Sequence, residues 1–230
     1  MFWLLLGIIY ISFISLGLPD ALLGSGWPII HEELNVPVSY AGIVSMIITI
    51  GTIISSFFSD KVIRKFGTGL VTAISVAMTA FALFGFSVSS HFWMLCLFSI
   101  PYGLGAGSVD AALNNFVALH YKARHMSWLH CFWGIGASLG PVIMGQCLIN
   151  GKHWTLGYEI VSFLQFGLSV ILFCSLFLWK KFDSSNNENK ENYKNISLIE
   201  LLKLPKAKCA LIGFFCYCGL ELSTGLWGAS

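Results

Sequence analysis

Two aspartates, Asp20 and Asp110, stand in stretches rich in Leu, Ala and Gly and otherwise without charge: "SLGLPDALLGSGWP" and "GLGAGSVDAALNNF". Asn114 follows Asp110 by four residues, and Tyr102, Gly103 and Gly107 precede it, so small and polar side chains share one helical face. An ionised aspartate at the centre of a membrane helix costs about 2.5–3.5 kcal/mol on insertion scales, so it normally faces a cavity or a partner. Desolvation disfavours the anion, so a carboxyl in such a place can take a proton from one side of a membrane and release it to the other. For Asp20 the structural alternative is a hydrogen bond between helices. Pro19 removes a backbone donor just before it, and Gly24 and Gly26 follow, which reads as a hinge carrying a cavity-facing acid. His130 and Trp133, three apart, could present an imidazole and a ring to the same cavity. Gln146, Gln165 and Glu221 are further inward candidates.

The surroundings of these residues are those of a membrane. Of 230 residues, 56% are hydrophobic and 10% charged, against roughly 25% charged in ordinary globular chains. Apolar runs long enough to cross a hydrocarbon core of about 30 Å as helices recur along the chain. They do not alternate in polarity, which excludes a β-barrel. The expected fold is all-α: a polytopic six-helix bundle followed by part or all of a seventh transmembrane helix. Expected spans are 2–27, 39–59, 68–89, 92–118, 127–149 and 156–179, with a seventh run from about 207. Trp3, Trp27, Trp93, Trp154 and Trp179 lie near span ends, as an interfacial aromatic belt requires.

Charge placement sets an expected orientation. Lys61, Arg64 and Lys65 lie between spans two and three, Lys122 and Arg124 between four and five, and seven lysines from Lys180 to Lys208 between or beside six and seven. The alternate loops hold only Lys152. The positive-inside bias puts the amino terminus in the cytoplasm of a multi-pass cell-membrane protein. The polar run "DSSNNENKENYK", Asp183–Lys194, reads as a flexible linker. The expected domains are therefore 1–180, a six-helix bundle; 181–206, a cytoplasmic linker; and 207–230, the start of a second bundle. The seventh run, "CGLELSTGLWGAS", echoes the first in its Gly-Leu, acid, Gly and Trp order, and parallel repeats of this kind occur in transporter halves.

Other chemistries find little support. The seven cysteines form no CxxC pair and nearly all fall in apolar runs, so they read as packing residues, with no metal or cofactor expected. Two membrane aspartates could form a protease dyad. The GxGD signature of such enzymes is absent, since the sequence reads "GAGSVD", and an enzyme is not expected. The net charge of +2 gives no reason to expect a nucleic-acid partner.

After span two, "SFFSDKVIRKFG" resembles the major facilitator superfamily's loop signature, G-x-x-x-D-[RK]-x-G-[RK]-[RK]. Asp60, Lys61, Arg64 and Lys65 occupy its charged positions, while Ser56 and Ile63 replace its glycines. Within the superfamily, "PDALL", "GLGAGSVDAALNNF" and "WLHCFWGIGASLGPVIMGQCLI" resemble the fucose–galactose–glucose proton-symporter group (L-fucose permease-like). The resemblance covers essentially all of residues 1–180. It implies proton-coupled sugar symport by alternating access, with Asp20 and Asp110 matching acids linked to proton coupling and sugar recognition. Asn114 matches a polar residue on the same face, and His130 and Trp133 suit a sugar. The Asp60–Lys65 loop would gate access. One departure is an Asp rather than a Glu at 110, one methylene shorter.

The implied partners are a hexose, a coupling cation, the bilayer and a carboxy-terminal half that completes the site. Two alternatives stand beside this. "GASLGPVIMG" partly resembles the Gly-Pro motif of drug–proton antiporters, although their helix-four arginine signature is missing. The chain could also be a non-transporting fragment.

Overall fold

A computed structural model describes residues 2–185 and 203–228, all of them in helices or short connections. The helices are α1 (Phe2–Asp20), α2 (Leu22–Glu33), α3 (Ala41–Phe66), α4 (Thr68–Ser87), α5 (Phe92–His120), α6 (Ala123–Ile149), α7 (Trp154–Cys174), α8 (Leu176–Ser185) and α9 (Pro205–Trp227), with a 3-10 turn at Val38–Tyr40. Among the described residues seven spans are long and apolar enough to cross a bilayer, the first formed by α1 and α2 together. The protein is a multi-pass membrane protein. Residues 186–202, most of the expected linker, lie outside the described residues. Its two edges belong to helices instead: α8 continues to Ser185 and α9 begins at Pro205.

Several boundaries move, each for a local reason. The first span breaks at Ala21 (φ −102°, ψ 1°), directly after Asp20. Pro19 has no N–H for the Ser15 carbonyl one turn back, so that oxygen is released from the helix. Gln165 of α7 takes it over, donating from Nε2 at 2.8 Å, while Thr79 of α4 donates to Gln165 Oε1 at 2.7 Å. Gln165, expected to look inward to a cavity, is 2% exposed and ties three helices together. The second span runs on to Phe66, stopping at Gly67 (φ 80°), a left-handed conformation that glycine adopts without penalty. The sixth span bends at Ser175, between α7 and α8.

Packing follows the rule that membrane helices meet through small residues. On α3, Gly51, Ser55 and Ser59 are buried, whereas Ile50, Ile53 and Phe57 are exposed, a face suited to lipid. Gly103 of α5 has no room for a Cβ beside the Ile48 carbonyl, and Thr52 Oγ1 reaches the Gly103 oxygen at 3.3 Å. Between α1 and α6, Gly17, Gly136 and Gly140 press on the opposite backbone in the same way. Two apolar clusters result. One, around Phe13, Phe116, Leu172 and Trp179, lies toward the basic end; the other, around Trp27, Phe86, Met144 and Tyr158, lies toward the end that carries Glu33.

The aromatic belt is only partly realised. Trp3 and Trp93 are exposed, but Trp27, Trp154 and Trp179 are core residues. Their indole N–H groups explain how an apolar core tolerates them: Trp27 donates to the Val38 carbonyl (2.7 Å), Trp154 to Glu33 (2.8 Å) and Trp179 to the Ser175 hydroxyl (3.3 Å). Of the cysteines, Cys96 and Cys147 are buried as packing residues; Cys131, Cys174, Cys209 and Cys216 are exposed.

Gln165→Leu should strand the Ser15 carbonyl and the Thr79 hydroxyl and destabilise the bundle by about 1–3 kcal/mol. Thermal unfolding of the purified protein in detergent checks this, with Asn114→Ala, on the open wall, as the substitution expected to change little.

Candidate functional site

Asp20 closes α1 at the point where the helix breaks, and its carboxylate is exposed at the surface of the bundle. Its Oδ2 accepts from Trp133 Nε1 of α6 at 2.9 Å, and its Oδ1 accepts from the Tyr102 hydroxyl of α5 at 3.2 Å. The Gly17 crossing on the Trp133 backbone brings that indole within reach. Tyr102 itself is buried at 4% exposure against Phe86. Asp20 therefore bridges α1, α5 and α6 while still presenting a face to the open side.

On α5, Asp110 is also exposed, and Asn114 one turn on donates from Nδ2 to its Oδ1 at 2.9 Å. His130 of α6 is exposed, lies edge-on to Phe13 at 6.1 Å between centroids, and is a neighbour of Asp110. Asp110 and Asp20 are neighbours on this side of the bundle. Asp20, Asp110, Asn114, His130 and Trp133 thus come together on one wall of the bundle, contributed by α1, α5 and α6. α9 adds Glu221, whose charge reaches both aspartates.

Some expectations resolve differently. Trp133 is half-buried and its N–H is already taken by Asp20, so it holds the acid as well as offering ring surface. Tyr102 is a hydrogen-bond donor to the site, a role its position among small neighbours in the sequence did not single out. Gln146 lies far along α6, in a groove with Asn150, Lys152 and Leu156, away from the aspartates. The Asp60–Lys65 segment is no loop; it is the final turns of α3. There Asp60 pairs with Arg64 at 3.0 Å, an exposed i,i+4 contact within its own helix. Lys61 and Lys65 lie over the Phe58 and Phe66 rings, at 5.7 and 5.2 Å.

The sequence pattern of the Major Facilitator Superfamily matches residues 9–229. The chain belongs to that superfamily. Among curated proteins it is similar to synaptic vesicle glycoprotein 2C of Rattus norvegicus, 26% identical over 183 residues, covering 75% of this chain and 25% of that protein. It is similar to the glucose/mannose transporter GlcP of Bacillus subtilis, 22% identical over 181 residues, covering 78% and 43%. It also resembles the quinolone resistance protein NorA of Staphylococcus aureus, 26% identical over 170 residues, covering 71% and 42%. The matched region spans less than half the length of each of these relatives.

Replacing both donors to Asp20, in Tyr102→Phe with Trp133→Phe, should cost about 1.5–3 kcal/mol of stability, since hydrogen bonds to a charged group are the stronger kind. A double-mutant cycle with Asp20→Asn, read by thermal unfolding, should show the cost shrinking once the acid is gone.

Proposed function

We propose that this chain supplies the amino-terminal bundle and the first helix of the second bundle of a proton-coupled sugar symporter working by alternating access, of the fucose–galactose–glucose symporter group. The observation that carries this is the open wall itself: two carboxyls, Asp20 and Asp110, standing beside the hydrogen-bonding groups of Asn114 and His130 and the Trp133 ring. A hexose needs hydroxyl partners and an apolar ring for its C–H faces, and the wall has both. A proton carrier needs an acid that water can reach from one side at a time, and both aspartates are exposed. Similarity to GlcP supports a sugar, and similarity to NorA favours drug–proton antiport as the second reading.

The wall is only one side of a binding site, so the reading includes a carboxy-terminal half that supplies the other. The basic groups Lys61, Arg64, Lys65, Lys122, Arg124 and Lys180 gather at one end of the bundle, which we take as cytoplasmic, with the amino terminus, in the cell membrane. At that end the Asp60–Arg64 pair and its neighbouring lysines act as the gate, exchanging their own contacts for ones to the other half as access alternates.

The test is uptake of labelled hexoses by cells expressing the chain together with its carboxy-terminal half. An inward proton gradient should drive accumulation. Asp110→Asn should lower accumulation at least tenfold while leaving membrane insertion intact. Sugar-independent extrusion of a cationic drug, lost in the same variant, would replace symport with antiport. The 230-residue chain alone should insert but neither bind nor transport sugar, because half a site leaves polar groups unpaired at a cost of several kcal/mol.

A further inference from the structure

Between α6 and α7, at the end of the bundle that carries Glu33, runs an open groove of about 330 Å³. Val142, Leu156 and Ile160 give it apolar walls, and Gln146, Asn150 and Lys152 are its polar members. Two of these polar groups have no use in the fold. α6 ends in a left-handed turn at Gly151 (φ 67°), where the Gly151 and Lys152 N–H groups bond back to the Leu148 and Cys147 carbonyls. Asn150 Nδ2 donates to the Gln146 carbonyl at 2.7 Å. The last turn is thus capped without the Lys152 ammonium. Among the described residues no acid pairs with Lys152, and Glu33, at the same end, is taken by His153 at 2.7 Å and Trp154 at 2.8 Å. The exposed Gln146 side-chain amide also has no hydrogen-bond partner among the described residues.

Helix geometry says which way the groove looks. Gln146 lies about 160° round α6 from His130, so the groove faces away from the open wall. A carboxy-terminal half seated on that wall would lie on the opposite side of α6. On α7, Gly157 meets Met144 of α6, and Glu159 stands about 160° round the helix from it, on the other flank. The depth of each polar group is equally informative. At 1.5 Å per residue, Gln146 lies about 6 Å deeper than Asn150, and Val142 about 6 Å deeper again. The interfacial layer of a bilayer is about 5–7 Å thick on each side of the hydrocarbon. From its mouth inward the groove therefore presents a cation, then an amide, then aliphatic walls. A glycerophospholipid at the same depths presents a phosphate, then ester carbonyls, then an acyl chain.

We propose that this groove binds an anionic glycerophospholipid of the leaflet at that end. Its phosphate rests on Lys152, an ester carbonyl accepts from the Gln146 amide, and one acyl chain lies along Val142 and Ile160, with Leu156 at the mouth. An amide left bare at that depth costs free energy, and the ester group removes the cost. The groove offers one cation and no acid, so a lipid with a single net negative charge matches it, whereas a zwitterionic one brings an ammonium with no partner. The inference rests on the membrane fold and not on the choice between symport and antiport.

Photo-cross-linking reads the site directly. The 230-residue chain is placed in phosphatidylcholine nanodiscs containing a little phosphatidylglycerol or phosphatidylcholine with a diazirine in one acyl chain, irradiated, and the labelled peptides are identified by mass spectrometry. Phosphatidylglycerol should label the facing stretches of α6 and α7 around Val142 and Ile160 more than phosphatidylcholine does. Lys152→Gln should cut that labelling about fivefold, to the phosphatidylcholine level. Lys152→Arg should retain it, and Lys122→Gln, at the other end of the bundle, should leave it unchanged. Gln146→Leu should lower labelling by both lipids alike, about two- to fivefold. Excess glycerol 3-phosphate in solution should not compete. The proposal is overturned if both lipids label the groove equally in the unsubstituted chain, if Lys152→Gln labels as its parent does, or if glycerol 3-phosphate abolishes the labelling. Loss of the groove's labelling on co-expression with a carboxy-terminal half would also overturn it, by showing that protein and not lipid covers this flank.

Discussion

A missing hydrogen-bond donor governs the centre of this protein. Proline at position 19 cannot satisfy the Ser15 carbonyl, and in hydrocarbon an unsatisfied carbonyl costs several kcal/mol. The fold answers with Gln165, which reaches from α7 to that oxygen and is itself held by Thr79 of α4. Three helices are thereby locked at one height, and the first span ends its regular course just above, at Ala21. Asp20 occupies the last helical position before the break. A break in a membrane helix that is repaired on one side and open on the other places a carboxylate at the open side, where water and solute can reach it.

The remaining parts of the wall are placed by close helix approach. Gly17 lets α6 come near enough for Trp133 to reach Asp20, and Gly51 and Gly103 seat α5 against α3. The apolar clusters above and below supply the burial that keeps these contacts together. Two groups of polar residues in the bundle differ in what they bond. Gln165, Thr79, Ser162 and Ser169 are buried and spend their hydrogen bonds on other helices. Asp110 and His130 remain exposed on the open wall, and half-buried Asn114 is hydrogen-bonded to Asp110.

The spans were legible because their signal is length and apolarity, which needs no tertiary information. Asp110 and Asn114 were legible for a related reason: four-residue spacing on a helix fixes a shared face, and the structure shows the hydrogen bond between them. What failed depended on partners far away in sequence. Gln165 looked like Gln146 or Asn114, a polar residue in an apolar run, and only the free carbonyl of Ser15, 150 positions away, separates its role from theirs. Trp27, Trp154 and Trp179 sit near span ends as belt residues do, yet each ring is buried and its N–H is met by a residue distant or one turn away in sequence, Val38, Glu33 or Ser175. The charged segment after span two reads as a loop by its polar composition, whereas the α-helix has no reason to stop before Gly67.

The two donors on Asp20 differ in what they can do next. An indole N–H can only give a hydrogen bond, while a phenol hydroxyl can turn and receive one. Trp133 will hold Oδ2 whatever the state of the acid, but Tyr102 can reverse its hydroxyl if Oδ1 acquires a hydrogen. The two oxygens of this carboxyl are therefore inequivalent, and the acid has a built-in handedness: one oxygen is anchored to α6 by a group that can only donate, and the other faces a group that can also accept.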